Sequence, residues 1–295
     1  VVAGSLLTLT FAIKAGLVPL LFWLPATYPT FSGPVAALFA GMMTKLGVFA
    51  LLRTVPLLMA DTPIPSALVV LGAGSALLGV LAALSEYELR RLLGFHIVSQ
   101  VGYMILGLGL LTVGALAAAI FYLTHHIVVK AVLFLVSDEL ERHSGSRDLR
   151  TMVPGDSGRG GLAAIFLLAA LSLAGLPPLS GFFAKVGLFR ATLAEGSWWL
   201  VAVLAVASFF TLASMLKIWR FSFYASHTTP SHSGRTASLM PVWLLVGVSI
   251  ALAVAAQPVY QFAEATAQQL LDASPYSRAV LSEAAIITPQ EAPKP

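Results

Sequence analysis

Cysteine is absent from these 295 residues, and Asp, Glu, Lys and Arg together make up only 10%. The first absence excludes disulfides and thiolate metal sites. The second excludes an ordinary soluble domain, in which about a quarter of the residues are charged. There is no Gly-rich nucleotide loop and no set of cluster ligands, so the chain is not itself a redox component and no cofactor is expected. What fills the sequence is apolar: 58% of residues are hydrophobic and the mean hydropathy is +0.89. Such a chain belongs in a lipid bilayer. The net charge is +4, yet its basic residues are scattered over short loops and apolar stretches instead of forming a patch, so nucleic acid is not an expected partner. The sequence opens at Val1 inside an apolar run, with neither Met nor the basic start of a signal peptide. The expectation is a cut through a longer polypeptide.

Crossing a hydrocarbon core of about 30 Å takes roughly 20 mainly apolar residues. Eight stretches qualify, near 3–25, 34–59, 65–85, 92–112, 114–137, 162–190, 198–224 and 240–263. They must be helices, because an open strand edge cannot be satisfied in lipid. The predicted fold is therefore an all-α, polytopic membrane bundle over residues 1–263. A polar tail over 264–295 is expected to start as an interfacial helix and to end disordered. The connections after the third, fifth and seventh spans hold Arg90, Arg91, Arg142, Arg147, Arg150, Arg159, Lys217, Arg220 and Arg235. The opposite side has little beyond Arg53, Arg190, Arg278 and Lys294. The excess of cations puts the long loops 138–161 and 225–239 in the cytoplasm and both ends of the chain outside.

Ionisable residues divide sharply by type. The acidic residues all fall in loops, tails or span ends, and arginines do the same. Lysine does not: Lys14, Lys45, Lys130 and Lys185 stand well inside apolar runs, and Lys217 near the end of one. A charge at the centre of a membrane helix costs about 2.5–3.5 kcal/mol even on insertion scales. These lysines therefore need partners, water or a neutral state. An ammonium in a low-dielectric site can give up its proton, whereas a guanidinium stays charged. A row of such amines, with water or imidazole in the gaps, can hand protons along. Lys217 fits snorkelling to the interface better. His126 and Lys130 lie four apart on one helix face, and a neutral imidazole both accepts and donates. His125 points about 100° away, with its role open. His96 and Gln100 also share a face, and packing and relay readings stand side by side for them.

Two spans carry their own breaks. Gly16 and Pro19 follow Lys14 in the first, and Gly175, Pro177, Pro178 and Gly181 precede Lys185 in the sixth. Proline removes a helical donor and clashes with the preceding turn. Backbone freed at membrane depth survives only against protein or a watery cavity, and broken helices in corresponding positions of two halves point to a transport site. The two spans share the pattern Ala-Gly-Leu-x-Pro-Leu, lie five apart and run in opposite directions, as an inverted five-helix repeat requires.

These segments resemble the antiporter-like subunits of respiratory complex I and of Mrp-type cation/proton antiporters. Residues 11–25 (FAIKAGLVPLLFWLP) are similar to their broken seventh helix, 38–53 (LFAGMMTKLGVFALLR) to the eighth, 124–135 (THHIVVKAVLFL) to the eleventh and 172–185 (SLAGLPPLSGFFAK) to the broken twelfth. The spacing of Thr44-Lys45 with Arg53, and Arg147-Asp148-Leu149 after the fifth span, resemble most the D-type subunits of the Mrp (Mnh, Pha) group. The resemblance implies fourteen helices in a full subunit, with the seventh to fourteenth here. It also implies a midplane proton path through Lys14, Lys45, His126, Lys130 and Lys185, and a glutamate on an earlier helix as the partner of Lys14. Ser137-Asp138-Glu139 is more acidic than expected after the eleventh helix.

The expectation is a transporter subunit, not an enzyme. It sits in a bacterial inner membrane with other subunits of a hetero-oligomeric complex, and exchanges Na⁺ or another alkali cation for protons. The alternative is a proton-pumping subunit in the membrane arm of NADH:quinone oxidoreductase or of a membrane-bound hydrogenase. A structural scaffold without transport would require the lysines to point at the interface.

Overall fold

Apolar runs of more than 20 residues have nowhere to satisfy their backbone in lipid except in helices. The computed structural model describes residues 2–152, 160–224, 238–272 and positions 274, 276 and 278, and its regular elements are helical. Five helices are long and apolar enough to cross a bilayer unbroken: α3 (Gly33–Leu58), α4 (Ile64–Ser85), α5 (Leu89–Gly109), α6 (Val113–Ser144) and α9 (Trp198–Trp219, continued by a π-helical turn Arg220–Tyr224). The first and sixth spans are split, into α1 (Val2–Ala15) and α2 (Trp23–Thr27), and into α7 (Gly160–Ala174) and α8 (Ser180–Ala194). At 1.5 Å per residue, α1 and α7 reach about 21–23 Å. Each falls short of the hydrocarbon thickness, so each needs its second half. The last span divides into α10 (Met240–Val254) and α11 (Ala256–Leu271), bent by 76°.

Local chemistry fixes several helix ends. Glu88 caps α5, its Oε2 accepting from the Arg91 N–H at 2.7 Å. Thr112 caps α6 through its hydroxyl. Gly145, at φ 69°, closes α6 in the left-handed conformation.

Helix α5 is the hub. All of its residues except Arg91 and Phe95 are buried, and it packs on α3, α4, α6 and α9. Its approach to α4 is close because Gly72 and Gly102 face each other; a Cβ on Gly102 would lie 2.4 Å from the Ala76 nitrogen. Small residues at such contacts are how helices associate where lipid offers no hydrophobic drive. Outward faces carry exposed apolar side chains, among them Leu6, Leu9 and Ile13 on α1 and Trp243, Leu244 and Val248 on α10, as a hydrocarbon surround requires.

The basic connections gather on one face. Leu89 N–H donates to Arg147 O and Leu149 N–H to Tyr87 O, which joins the loops after the third and fifth spans. Lys217 Nζ donates to the carbonyls of Ala83, Leu84 and Glu86, so it caps α4. Arg90, only 2% exposed, bonds Phe31 O at 2.7 Å and pairs with Asp138 at 2.8 Å and Glu141 at 2.6 Å, and Arg147 reaches Pro29 O. This network clamps the connection after the first split span to α5 and α6. Arg159, Arg235 and Lys294 lie outside the described residues.

Two expected boundaries move. Helix α6 runs to Ser144, so Ser137, Asp138 and Glu139 continue the span instead of opening a loop. Their acidity is explained by ion pairs to Arg90 and Arg142, and from Glu139 to His143. Residue 263 falls within α11, which is amphipathic: Ala256, Ala263 and Ala267 are buried while Gln257, Gln261 and Gln268 are exposed. The end of the expected tail, 279–295, lies outside the described residues.

Candidate functional site

Both interrupted spans break by the same device. Gly16 N–H donates to Ile13 O at 3.0 Å and Leu17 N–H to Ala12 O at 3.1 Å. Gly175 N–H donates to Ser172 O and Leu176 N–H to Leu171 O, both at 3.1 Å. These are Schellman closures around a left-handed glycine, at φ 76° and 88°. Pro19 and Pro178 each follow in a cis peptide. Gly181 lets α8 start tight against the end of α7, since a Cβ there would come within 1.8 Å of Ser172 O.

The lysines belong to the ends of these half-helices or to the helices between them. Lys185 on α8 is 4% exposed and donates at 2.8 Å to Ala174 O, the last carbonyl of α7. The negative end of the α7 dipole thus faces an amine, an arrangement worth about 0.3–2 kcal/mol to the ammonium. Lys45 on α3 is 3% exposed and donates to Ala40 O at 2.5 Å. Lys130 on α6 is fully buried and donates to Leu93 O of α5 at 3.2 Å. Among the described residues, none of the three has a carboxylate partner.

Histidines and hydroxyls occupy the space between the amines. His126 is fully buried, neither ring nitrogen has a hydrogen-bond partner among the described residues, and it lies in the field of Lys45 and Lys130. His125 shares a 2.8 Å hydrogen bond with Ser180, the first residue of α8, and Ser180 contacts Ser172 at 3.2 Å and Ser249 at 3.3 Å. The expected stripe on α5 is longer than His96 and Gln100. His96 bonds Ser214 at 2.9 Å, Gln100 accepts from Tyr122, and Tyr103 bonds Leu204 O and Ser208 at 3.0 Å. Tyr103 stacks on Tyr122 at 5.5 Å, and Lys185 Nζ lies 5.2 Å from the Tyr103 ring. Tyr122 also meets the His125 ring edge-on at 5.8 Å. A polar seam therefore runs from Lys45 past His126 and Lys130, along α5, to Lys185 and Ser180.

Lys14 is not in this seam. It lies in the last turn of α1 but on an exposed flank, while Ala12 and Ala15 are buried. Here α1 packs on α3 through its small residues, which leaves Lys14 exposed and without a partner among the described residues. Sequence reasoning misses Tyr103, Tyr122, Ser180, Ser214 and Thr211, whose hydroxyl accepts from Gln100 Nε2 at 3.5 Å. Their signal is spacing: polar residues at 96, 100 and 103 on α5, and hydroxyls at 208, 211 and 214 on α9, each at helical repeat.

Buried amines, imidazoles and hydroxyls in one continuous seam can pass protons, and with oxygen ligands few and no carboxylate in the row they are poorly suited to hold a bare cation. A family model described as NADH:quinone oxidoreductase/Mrp antiporter, TM, matches residues 1–211. The chain is 40% identical to the D-type subunit of the Na(+)/H(+) antiporter of Alkalihalophilus pseudofirmus over 287 residues, which is 96% of this chain and 58% of that protein. It is 36% identical to the N-type subunit of the NADH-quinone oxidoreductase of Desulforudis audaxviator, over 70% of this chain and 42% of that protein. In the solved Mrp complex from Dietzia sp. DQ12-45-1b, one chain superposes with a TM-score of 0.89 at 34% identity, covering 95% of this chain and 61% of that one. The chain thus spans about three-fifths of the length of its antiporter relatives.

Proposed function

Because the chain belongs to the NADH:quinone oxidoreductase/Mrp antiporter transmembrane family, we propose that it supplies the proton-conducting spans of a D-type subunit in a hetero-oligomeric Na⁺/H⁺ antiporter of the bacterial cell membrane. The observation that carries this reading is that Lys45, His126, Lys130 and Lys185 are buried with no carboxylate partner among the described residues. Each amine holds a proton as ammonium and releases it as neutral amine. His126 takes a proton at one ring nitrogen and gives it up from the other, with water bridging to Lys45 and Lys130. From Lys130, anchored on Leu93 O, bridging water carries the proton past His96 and the Tyr122 and Tyr103 hydroxyls to Lys185. His125 and Ser180 then link Lys185 to the second break, where the chain opens.

Lys14 takes a different part. It stands at the first break on a face without a partner, ready for an acidic side chain contributed from outside the described residues. Protonation there would depend on that residue and on the break. The transported cation, Na⁺ in the similar antiporter protein, exchanges against the protons carried by this seam.

Replacing Lys185 by Ala in the complete complex should reduce proton-coupled sodium efflux by about 100-fold, the scale of a lost acid–base group. Unchanged efflux removes Lys185 from the mechanism. The 36% identity to an NADH-quinone oxidoreductase subunit favours a second reading, in which the same seam pumps protons in a redox enzyme. Purification separates the two: flavin and iron–sulfur subunits travelling with the chain mean the oxidoreductase, and small membrane subunits alone mean the antiporter.

A further inference from the structure

Away from the seam, α11 lies across the outside of α6. Tyr260 packs its ring on Phe121 at 6.0 Å and donates its hydroxyl to Gly114 O at 3.5 Å. Between α11 and α8 this leaves a cavity of about 720 Å³. Phe182, Phe183 and Val186 line it from α8, and Gln257 and Tyr260 from α11. Two charges of opposite sign share it, Arg190 on α8 and Glu264 on α11. Both lie within electrostatic reach of the Tyr260 hydroxyl, yet they form no ion pair with each other or with any described residue. An arginine and a glutamate in one cavity that do not close on each other leave room for a ligand carrying both charges.

The depth fits a lipid headgroup. Arg190 is five residues beyond the buried Lys185, about 7.5 Å along α8, and its long stem lets the guanidinium reach the interface. Val254 and Phe262, on the neighbouring helices α10 and α11, are 85% and 72% exposed. Apolar side chains that open suit a hydrocarbon surround. We propose that this cavity binds one aminophospholipid with a primary ammonium. The phosphate sits on Arg190, the ammonium on Glu264, and the upper part of an acyl chain lies along Phe182, Phe183 and Val186. A guanidinium matches phosphate oxygens in a bidentate fork. A carboxylate accepts hydrogen bonds from a primary ammonium, which a choline headgroup cannot give and a glycerol headgroup answers without charge. The site therefore selects ethanolamine over choline and glycerol lipids. The inference needs only the membrane fold and stands apart from the proton path.

The test uses the full-length subunit in its assembled complex, with benzoylphenylalanine at position 186, in bilayers of phosphatidylethanolamine, phosphatidylcholine and phosphatidylglycerol in equal parts. After irradiation the subunit is weighed for lipid adducts. Phosphatidylethanolamine adducts should predominate by about tenfold, the worth of one charge-assisted hydrogen bond. Glu264→Gln should erase that preference, and Arg190→Gln should lower all three adducts. Equal adducts of the three lipids in the unsubstituted background, or cross-links to a neighbouring subunit alone, overturn the proposal. Native mass spectrometry of the unlabelled complex gives a second reading. Retained phosphatidylethanolamine that falls on Arg190→Gln supports the site, and retention that does not change contradicts it.

Discussion

At Gly16 and at Gly175 the chain makes the same turn, but the freed backbone is satisfied by different partners. At the first break Trp23 Nε1 donates to Ile13 O at 2.9 Å, and Val18 N–H finds Ser75 of α4 at 3.0 Å. Lys14 is left over. At the second, the lysine itself caps the half-helix, and the neighbouring hydroxyls face His125. One turn thus stands closed with its amine free on an outer face, and the other is held by its own buried amine. Pro and Gly specify the interruption in both, whereas the side chain that takes the orphan carbonyl decides whether the break is bound to the polar seam.

Exchange of the two glycines for alanine is the strongest way to break this comparison. Each substitution forces a left-handed conformation that costs about 1–2 kcal/mol. At Gly16 the new methyl meets only the tip of Leu24, at 2.8 Å, which can rotate away. At Gly175 it meets Lys185 Cδ at 2.6 Å. Thermal unfolding should therefore fall similarly for both, while proton-coupled efflux should fall far more for Gly175→Ala. Equal transport by the two variants would show that Lys185 does not depend on its seat at the break.

A serine at each break sharpens the same contrast. Ser75→Ala removes the acceptor of the Val18 N–H, and Ser180→Ala removes the partner of His125. Each loss should cost about 1–3 kcal/mol of stability, the penalty of a buried polar group left unmade. Only Ser180→Ala should also change the pH dependence of transport, measured in vesicles over a series of external pH values.

The smallest effect belongs to the loop face that holds both halves in register. Burial pushes the Glu88 carboxyl up from its ordinary range, opposed by its bonds to the Arg91 and Arg90 backbone. A carboxyl whose pKa is raised on folding binds its proton more tightly in the folded state. Its contribution to stability is then full below the unfolded value and is lost as pH rises through the folded one. Glu88→Gln keeps the cap and should flatten this part of the stability–pH curve with a change of only a few tenths of a kcal/mol at neutral pH, whereas Glu88→Ala should cost about 1 kcal/mol. Denaturation midpoints across acidic pH read both.

Much of this was legible in the sequence. Length and hydropathy placed the helices and their membrane character, because in lipid the backbone permits nothing else; of the eight expected spans, five are unbroken helices long and apolar enough to cross. Gly16, Pro19, Gly175, Pro177 and Pro178 marked both breaks, because those residue types act locally. Lys45, Lys130 and Lys185 are buried, as apolar flanks predict, and so is His126. What escaped depends on packing between distant segments. The hydroxyls of α9 become partners of α5 only because α9 lies against it, over 100 residues later in the chain. The exposure of Lys14 follows from which flank of α1 meets α3, and an apolar run on both flanks does not say. The 76° bend before α11 has no proline at the turn itself, with Pro258 three residues beyond Ala255, so hydropathy ran straight through it.

The proposed relay requires that its amines can be neutral as well as charged. Lys185→Arg in the complete complex tests this most directly, since the substitution keeps a cation at the end of α7 but holds its proton permanently. Proton-coupled efflux should be lost nearly as fully as in Lys185→Ala, with assembly of the complex unchanged. Efflux at the unsubstituted rate from an arginine at this position would contradict a relay built on titrating amines.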